Sequence, residues 1–88
     1  MKRYRPKELA MYRRLGEDEA VVVHLGTNRV FALNQSGARI WELLCEGHEC
    51  ARIIEQLQVE FEASEEELTV ELDGLVAELL ETQLVEPG

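Results

Sequence analysis

The run Ala20-Val21-Val22-Val23-His24-Leu25, then Gly26-Thr27-Asn28, then Arg29-Val30-Phe31-Ala32-Leu33 decides the fold. Two apolar segments, the first dense in β-branched residues, flank a short Gly/Asn loop, which is the pattern of a β-hairpin. On its N-terminal side, residues 9–15 form a short mixed stretch closed by Gly16-Glu17-Asp18-Glu19, a turn, and predict a further strand at a sheet edge. On its C-terminal side the period changes. Asn34-Gln35-Ser36-Gly37 offers two helix N-caps, Asn34 and Ser36, before Ala38-Arg39-Ile40-Trp41-Glu42-Leu43-Leu44, whose apolar residues fall at helical spacing.

That first helix is expected to end near Gly47. A second is predicted over residues 50–61, with Cys50, Ile53, Ile54, Leu57 and Phe61 in one stripe. A third opens on Ser64-Glu65-Glu66-Glu67, a capping box with three acids at the positive end of the helix dipole. Its stripe, Leu68, Leu72, Leu75, Val76, Leu79 and Leu80, carries it to about Thr82, a length of roughly 28 Å. Residues 1–8 read as a solvated basic arm, and residues 83–88 as a short tail with Leu84 and Val85 docked on the core. Three strands followed by three helices define an α+β domain over residues 1–88, with helices covering one face of a small antiparallel sheet that is not stable uncovered.

Size and charge exclude several functions. Eighty-eight residues make one small domain with little room to enclose an active site. Residues 1–29 hold seven Lys/Arg against four acids, a balance of +3, which leaves −12 of the net −9 to residues 30–88. Only Arg39 and Arg52 remain in the helical part, which would repel a phosphate backbone, so a nucleic-acid partner is disfavoured. No window approaches a membrane span, and the basic start lacks an apolar segment behind it. A cytoplasmic protein is expected, with Cys45 and Cys50 as free thiols.

No catalytic group assembles from spacing. Ser36 and Ser64 are placed as helix caps, and His24 lies in a strand with no acid at a telling distance. Cys45, His48 and Cys50 put three soft ligands within six residues but leave a fourth missing, so no metal and no cofactor is expected. The strand at residues 30–33 is more informative. Arg29 is the only charge near it, and neither Pro nor Lys protects it as an edge. Either the third helix or the arm covers that edge, or it captures a peptide by strand addition.

Residues 21–44, from the valine run through Leu33-Asn34-Gln35-Ser36-Gly37-Ala38-Arg39-Ile40-Trp41 to Leu43-Leu44, resemble the family of PqqD, the pyrroloquinoline quinone biosynthesis protein. The resemblance continues through Glu46-Gly47, Ile53, Leu72, Leu75 and Leu79 to Leu84-Val85. It implies a recognition element for ribosomally made, modified peptides, non-catalytic, of winged helix-turn-helix shape. Such a domain binds a precursor's leader segment as a strand beside its third strand, under its third helix, and presents it to modifying enzymes. The 33–41 run is similar to the lasso-peptide group, whose implied partners are a separate leader peptidase and a cyclase. The alternatives are a peptide chaperone of quinone biosynthesis, a winged-helix DNA regulator and a metal-binding subunit.

On that resemblance the backbone of Val30, Phe31, Ala32 and Leu33 is expected to pair with the leader. Leu68, Leu72 and Leu75 are expected as the far wall, with Glu71 at the rim for a Lys or Arg of the leader. Three departures stand out. The second helix opens on Glu49-Cys50, without the hydroxyl cap of relatives, and is expected to fray there. Gln83 occupies the position of a helix-stopping Gly. Glu71 replaces a family Asp and keeps the charge.

Overall fold

The computed structural model describes residues 2–88. Three strands form an antiparallel meander in the order β2 (Ala10–Arg14), β3 (Glu19–His24) and β4 (Arg29–Asn34), followed by α1 (Gln35–Cys45), α2 (Cys50–Phe61) and α3 (Glu65–Glu81). The expected α+β order is present. Residue alternation decides the faces. Ala20, Val22 and His24 of β3 point to the helices with Leu33 and Phe31 of β4, while Val21, Val23, Val30 and Ala32 lie on the outer face. The inner face packs on α1 through Ala38, Ile40, Trp41 and Leu44, and Tyr12 of β2 stacks on Trp41 with ring centroids 6.2 Å apart.

Caps set the helix boundaries as the sequence predicts. Asn34 accepts from the Gly37 amide at 2.8 Å to start α1, and the Ser64 hydroxyl accepts from the Glu67 amide at 3.1 Å to start α3. Gly47, at φ +86°, turns the chain between α1 and α2.

The end of the chain takes its expected role, with Leu84 and Val85 buried on the core, while its start does not. Residues 2–8 are not a solvated arm: β1 (Tyr4–Pro6) pairs antiparallel with β5 (Val85–Pro87), a two-stranded sheet that binds the described start of the chain to its end. The amide of Lys7 donates to the Leu84 carbonyl and that of Gly88 to the Arg3 carbonyl, both at 3.0 Å. This clasp also answers two of the sequence departures. Glu49 gives α2 no side-chain cap, but the Cys50 amide donates to the Lys2 carbonyl at 2.8 Å, and Arg3 pairs with Glu49 at 3.0 Å. The α2 start is therefore tied down by a segment 46 or more residues away in sequence. Gln83 adopts φ +60° itself, so the left-handed stop of α3 is made without glycine, and the Leu84 amide closes on the Leu79 carbonyl.

Candidate functional site: a groove between a sheet edge and a helix

Hydrogen-bond parity identifies which backbone groups of β4 are open. The Leu15 amide donates to the Glu19 carbonyl and the Leu25 amide to the Leu9 carbonyl, so odd residues of β3 bond to β2 and even ones to β4. Ala20, Val22 and His24 stand opposite Leu33, Phe31 and Arg29, which thus spend their N–H and C=O groups on β3. Val30 and Ala32 turn both of theirs away from the sheet, four unpaired groups on an edge strand.

α3 runs beside this edge without closing on it, because its packing is directed to α2, α1 and β5. Leu68, Leu72, Val76 and Leu79 are buried, a stripe at steps of three and four that faces the core. The adjoining stripe of α3 borders an open groove. Its middle, a cavity of about 410 Å³, lies between Ala32, Leu33 and Asn34 on one side and Val70, Glu71, Gly74, Leu75 and Glu78 on the other. Toward the end of α3 it continues as a cavity of about 400 Å³ with Phe31 and Leu84 as apolar floor and Glu78, Glu81 and Arg29 at the rim. Toward the start of α3 lies a third hollow, bordered by Ser36, Phe61, Ala63, Leu68 and Glu71.

The expected residues divide between these surfaces. Val30 and Ala32 form the open edge. Phe31 is half-buried and Leu33 buried; their backbones belong to β3 and their side chains to the groove floor. Leu75 faces the groove. Leu72 is 1% exposed and borders none of the three cavities, while Leu68, 2% exposed, reaches only the third hollow. Glu71 is on the wall, and its carboxylate accepts a hydrogen bond from Ser36 in the first turn of α1. The residues that the stripe argument missed are Val70, Gly74, Glu78 and Glu81. Gly74 carried a signal, since a glycine mid-helix costs roughly 1 kcal/mol relative to alanine and needs a reason. Glu78 and Glu81 enter no ion pair among the described residues, so they remain available as acceptors.

Elsewhere, charges are committed to structure. Glu42 accepts from the Tyr12 hydroxyl and from Arg14, both at 2.8 Å, and from Arg39 at 3.3 Å, while Arg39 also binds Glu60. Burial pushes the Cys45 and Cys50 thiols up, reinforced by Glu42 and Glu46 at Cys45 and by Asp73 at Cys50, which disfavours the thiolate a metal would need. His48 faces Glu46. No helix of the described residues is long and apolar enough to cross a membrane.

Comparison with known proteins bears on the family and the fold. No curated protein sequence matches the chain. The solved structure titled "TbiB1 in Complex with the TbiA(beta) Leader Peptide" is similar to it with a TM-score of 0.83 and 27% identity, over 93% of this chain and 94% of that one. The family model for coenzyme PQQ synthesis protein D (PqqD) matches residues 19–85, which take in β3, β4, all three helices and the groove between β4 and α3, and the chain therefore belongs to the PqqD family.

Proposed function

We propose that this protein captures the leader segment of a ribosomally made precursor peptide as an added strand on β4, beneath α3, and holds it for modifying enzymes. The observation that carries the reading is the pair of outward-facing backbones at Val30 and Ala32, set across an open groove from Gly74, Leu75 and Glu78. Membership of the PqqD family and similarity to a chain solved with a leader peptide support it.

Energetics assigns roles. Four backbone bonds at about 0.5–1.5 kcal/mol each stand against an association cost of about 4–15 kcal/mol. Main-chain pairing therefore sets register and contributes to affinity without being sufficient for it. Apolar anchors seated on Phe31, Leu33, Leu75 and Leu84, at roughly 2–3 kcal/mol each, supply the remainder. The acidic rim favours a leader with Lys or Arg near α3, and with Glu71 engaged by Ser36, Glu78 and Glu81 are the better receptors. The domain binds and presents; the chemistry belongs to its partners, in the cytoplasm where the precursor is made.

The 33–41 run favours a lasso-peptide precursor, with a separate leader peptidase and a cyclase as partners. The name of the matching family favours a second reading, a peptide chaperone for a quinone-cofactor precursor, which uses the same edge. The test is titration of the ¹⁵N-labelled protein with a synthetic leader peptide of the precursor encoded beside its gene. Amides of Val30, Ala32, Gly74 and Leu75 should shift first. Shifts confined to other faces, or none, would refute strand addition. Which precursor binds, lasso or quinone, decides between the two readings, and duplex DNA binding that weakens steeply with salt would favour a DNA regulator.

A further inference from the structure

His24 is the one buried polar residue of the core among the described residues, at 9% exposure, and strand capture as described makes no use of it. Its ring lies under the loop that joins β3 to β4. Nδ1 accepts the amides of Gly26 at 3.1 Å and Thr27 at 3.2 Å. Two donors on one ring nitrogen require a neutral imidazole with its proton on Nε2. The loop rests directly on the ring: a Cβ on Gly26 would stand 3.0 Å from Cε1. From there the chain passes Asn28, whose amide donates to the His24 carbonyl at 2.7 Å, and enters β4 at Arg29 and Val30. His24 also lines the groove cavity at the end of α3 and a second one beside Leu9, and its Nε2 bonds no described residue yet is not sealed from solvent.

We propose that His24 is a positioning residue for the pairing edge: its neutral ring holds the 25–28 loop and thereby fixes where Val30 presents its outward N–H and C=O groups. This rests on the strand-addition reading and adds a regulatory consequence. A proton on Nδ1 would place a donor against two donors, both bonds would be lost, and the start of β4 would lift. The charged groups around the ring do not offset this. Arg29 of β4 opposes a second positive charge. Glu78 and Glu81 of α3, with Lys7, Glu8 and Glu86 around the second cavity, border the cavities and offer no acceptor at the position Nδ1 holds for the loop amides. Leader affinity is therefore full where His24 is neutral and falls as the pH drops.

The experiment has two arms, each followed as the pH is lowered from about 7.5 to about 5. One follows the Gly26 and Thr27 amide resonances of the free protein; the other measures polarisation of a fluorescent synthetic leader peptide from the neighbouring precursor, any histidine in it replaced by glutamine. Both amides should move in one step, and affinity should fall by about tenfold across the same step. His24→Asn, whose Oδ1 can reoccupy the acceptor position, should abolish the step and keep neutral-pH affinity within about threefold. His48→Asn should leave the step in place. Stationary loop amides, or a step that survives in His24→Asn, would overturn the assignment. A peptide that binds with pH-independent affinity overturns the positioning role alone, whereas one that binds at no pH overturns strand addition and this role with it.

Discussion

Gly74→Leu should make the protein more stable and unable to bind its leader. Gly74 is the tenth of the 17 residues of α3, and, its own stretch of helix backbone aside, no atom of the described residues lies within 4 Å of a Cβ built on it. Nothing in the fold requires the glycine, and a mid-helix glycine costs about 0.5–1 kcal/mol relative to alanine, with leucine close to alanine. Recovery of that energy corresponds to a rise of roughly 3–6 °C in Tm for a domain of this size. The new side chain projects into the cavity shared with Ala32, Leu33 and Leu75. An added strand must run about 4.8 Å from β4, through that space. Loss of the four backbone bonds alone removes at least about 2 kcal/mol, or about 30-fold in Kd. Gly74→Ala, with one methyl, should show the same stabilisation and lose only a few-fold in affinity. Thermal melts and polarisation of the labelled leader read the two effects separately. A Gly74→Leu protein that melts higher and binds as well as the parent would show that the leader does not pass under α3, and one that melts lower would show that the space is not open.

Leu72→Ala should cost about 2–5 kcal/mol of stability with leader affinity unchanged in the folded fraction, because Leu72 is core; Leu75→Ala should cost less than half of that in urea unfolding yet weaken binding by about tenfold, and the reverse pattern would exchange their roles. Deletion of residues 2–8 removes β1, the Lys2 cap of α2 and the Tyr4 packing, and should lower stability by about 2–4 kcal/mol while leaving leader affinity unaltered at low temperature. An unchanged denaturation midpoint would return these residues to the status of a solvated arm. For Glu42, burial alone would raise the carboxyl pKa, but the Tyr12 hydroxyl, Arg14 and Arg39 together hold it below the ordinary carboxylate range. The unfolded chain binds that proton more readily, so the stabilisation is present above the unfolded pKa and lost as pH falls through the folded one. Glu42→Gln should thus destabilise by about 1 kcal/mol near neutrality, allowing for its partial exposure. The difference should shrink in acid; a gap that stays constant with pH would refute the charge network.

The meander and the three helices were legible because their signals are local: alternation on β3 and β4, the Asn34 and Ser64 caps, and apolar steps of three and four on α1 and α2. β1 and β5 were not, since Tyr4-Arg5-Pro6 and Val85-Glu86-Pro87 are three residues each, and each finds its partner only across the whole chain. The same non-local closure explains why the bare α2 start is held. At the site, the edge could be read from β4 alone. The wall could not, because α3 carries apolar residues at 68, 70, 72, 75, 76, 77, 79 and 80, nearly all round its circumference. A core stripe and a groove stripe overlap in such a pattern, and only the position of the other elements separates Leu72 from Leu75.

Strand addition also dictates the form of the ligand. Side chains of an added strand alternate between the inner and outer faces of the sheet, as Phe31 and Leu33 alternate with Val30 and Ala32. Every second leader residue would therefore enter the groove toward Phe31, Leu33 and Leu75, and the residues between would lie beside Val30 on the outer face, where Met11 and Val30 are 44% and 64% exposed. Only the first set meets enclosed surface, so selectivity should reside in alternate positions of the leader. A one-residue slip would move every anchor to the solvent side and is disfavoured by the sum of the anchor energies. On the proposed reading, His24 under the loop would fix the start of that register from below, and Glu78 and Glu81 at the rim would select its charge from the side. Register, more than contact area, is the quantity such a small edge and helix can specify.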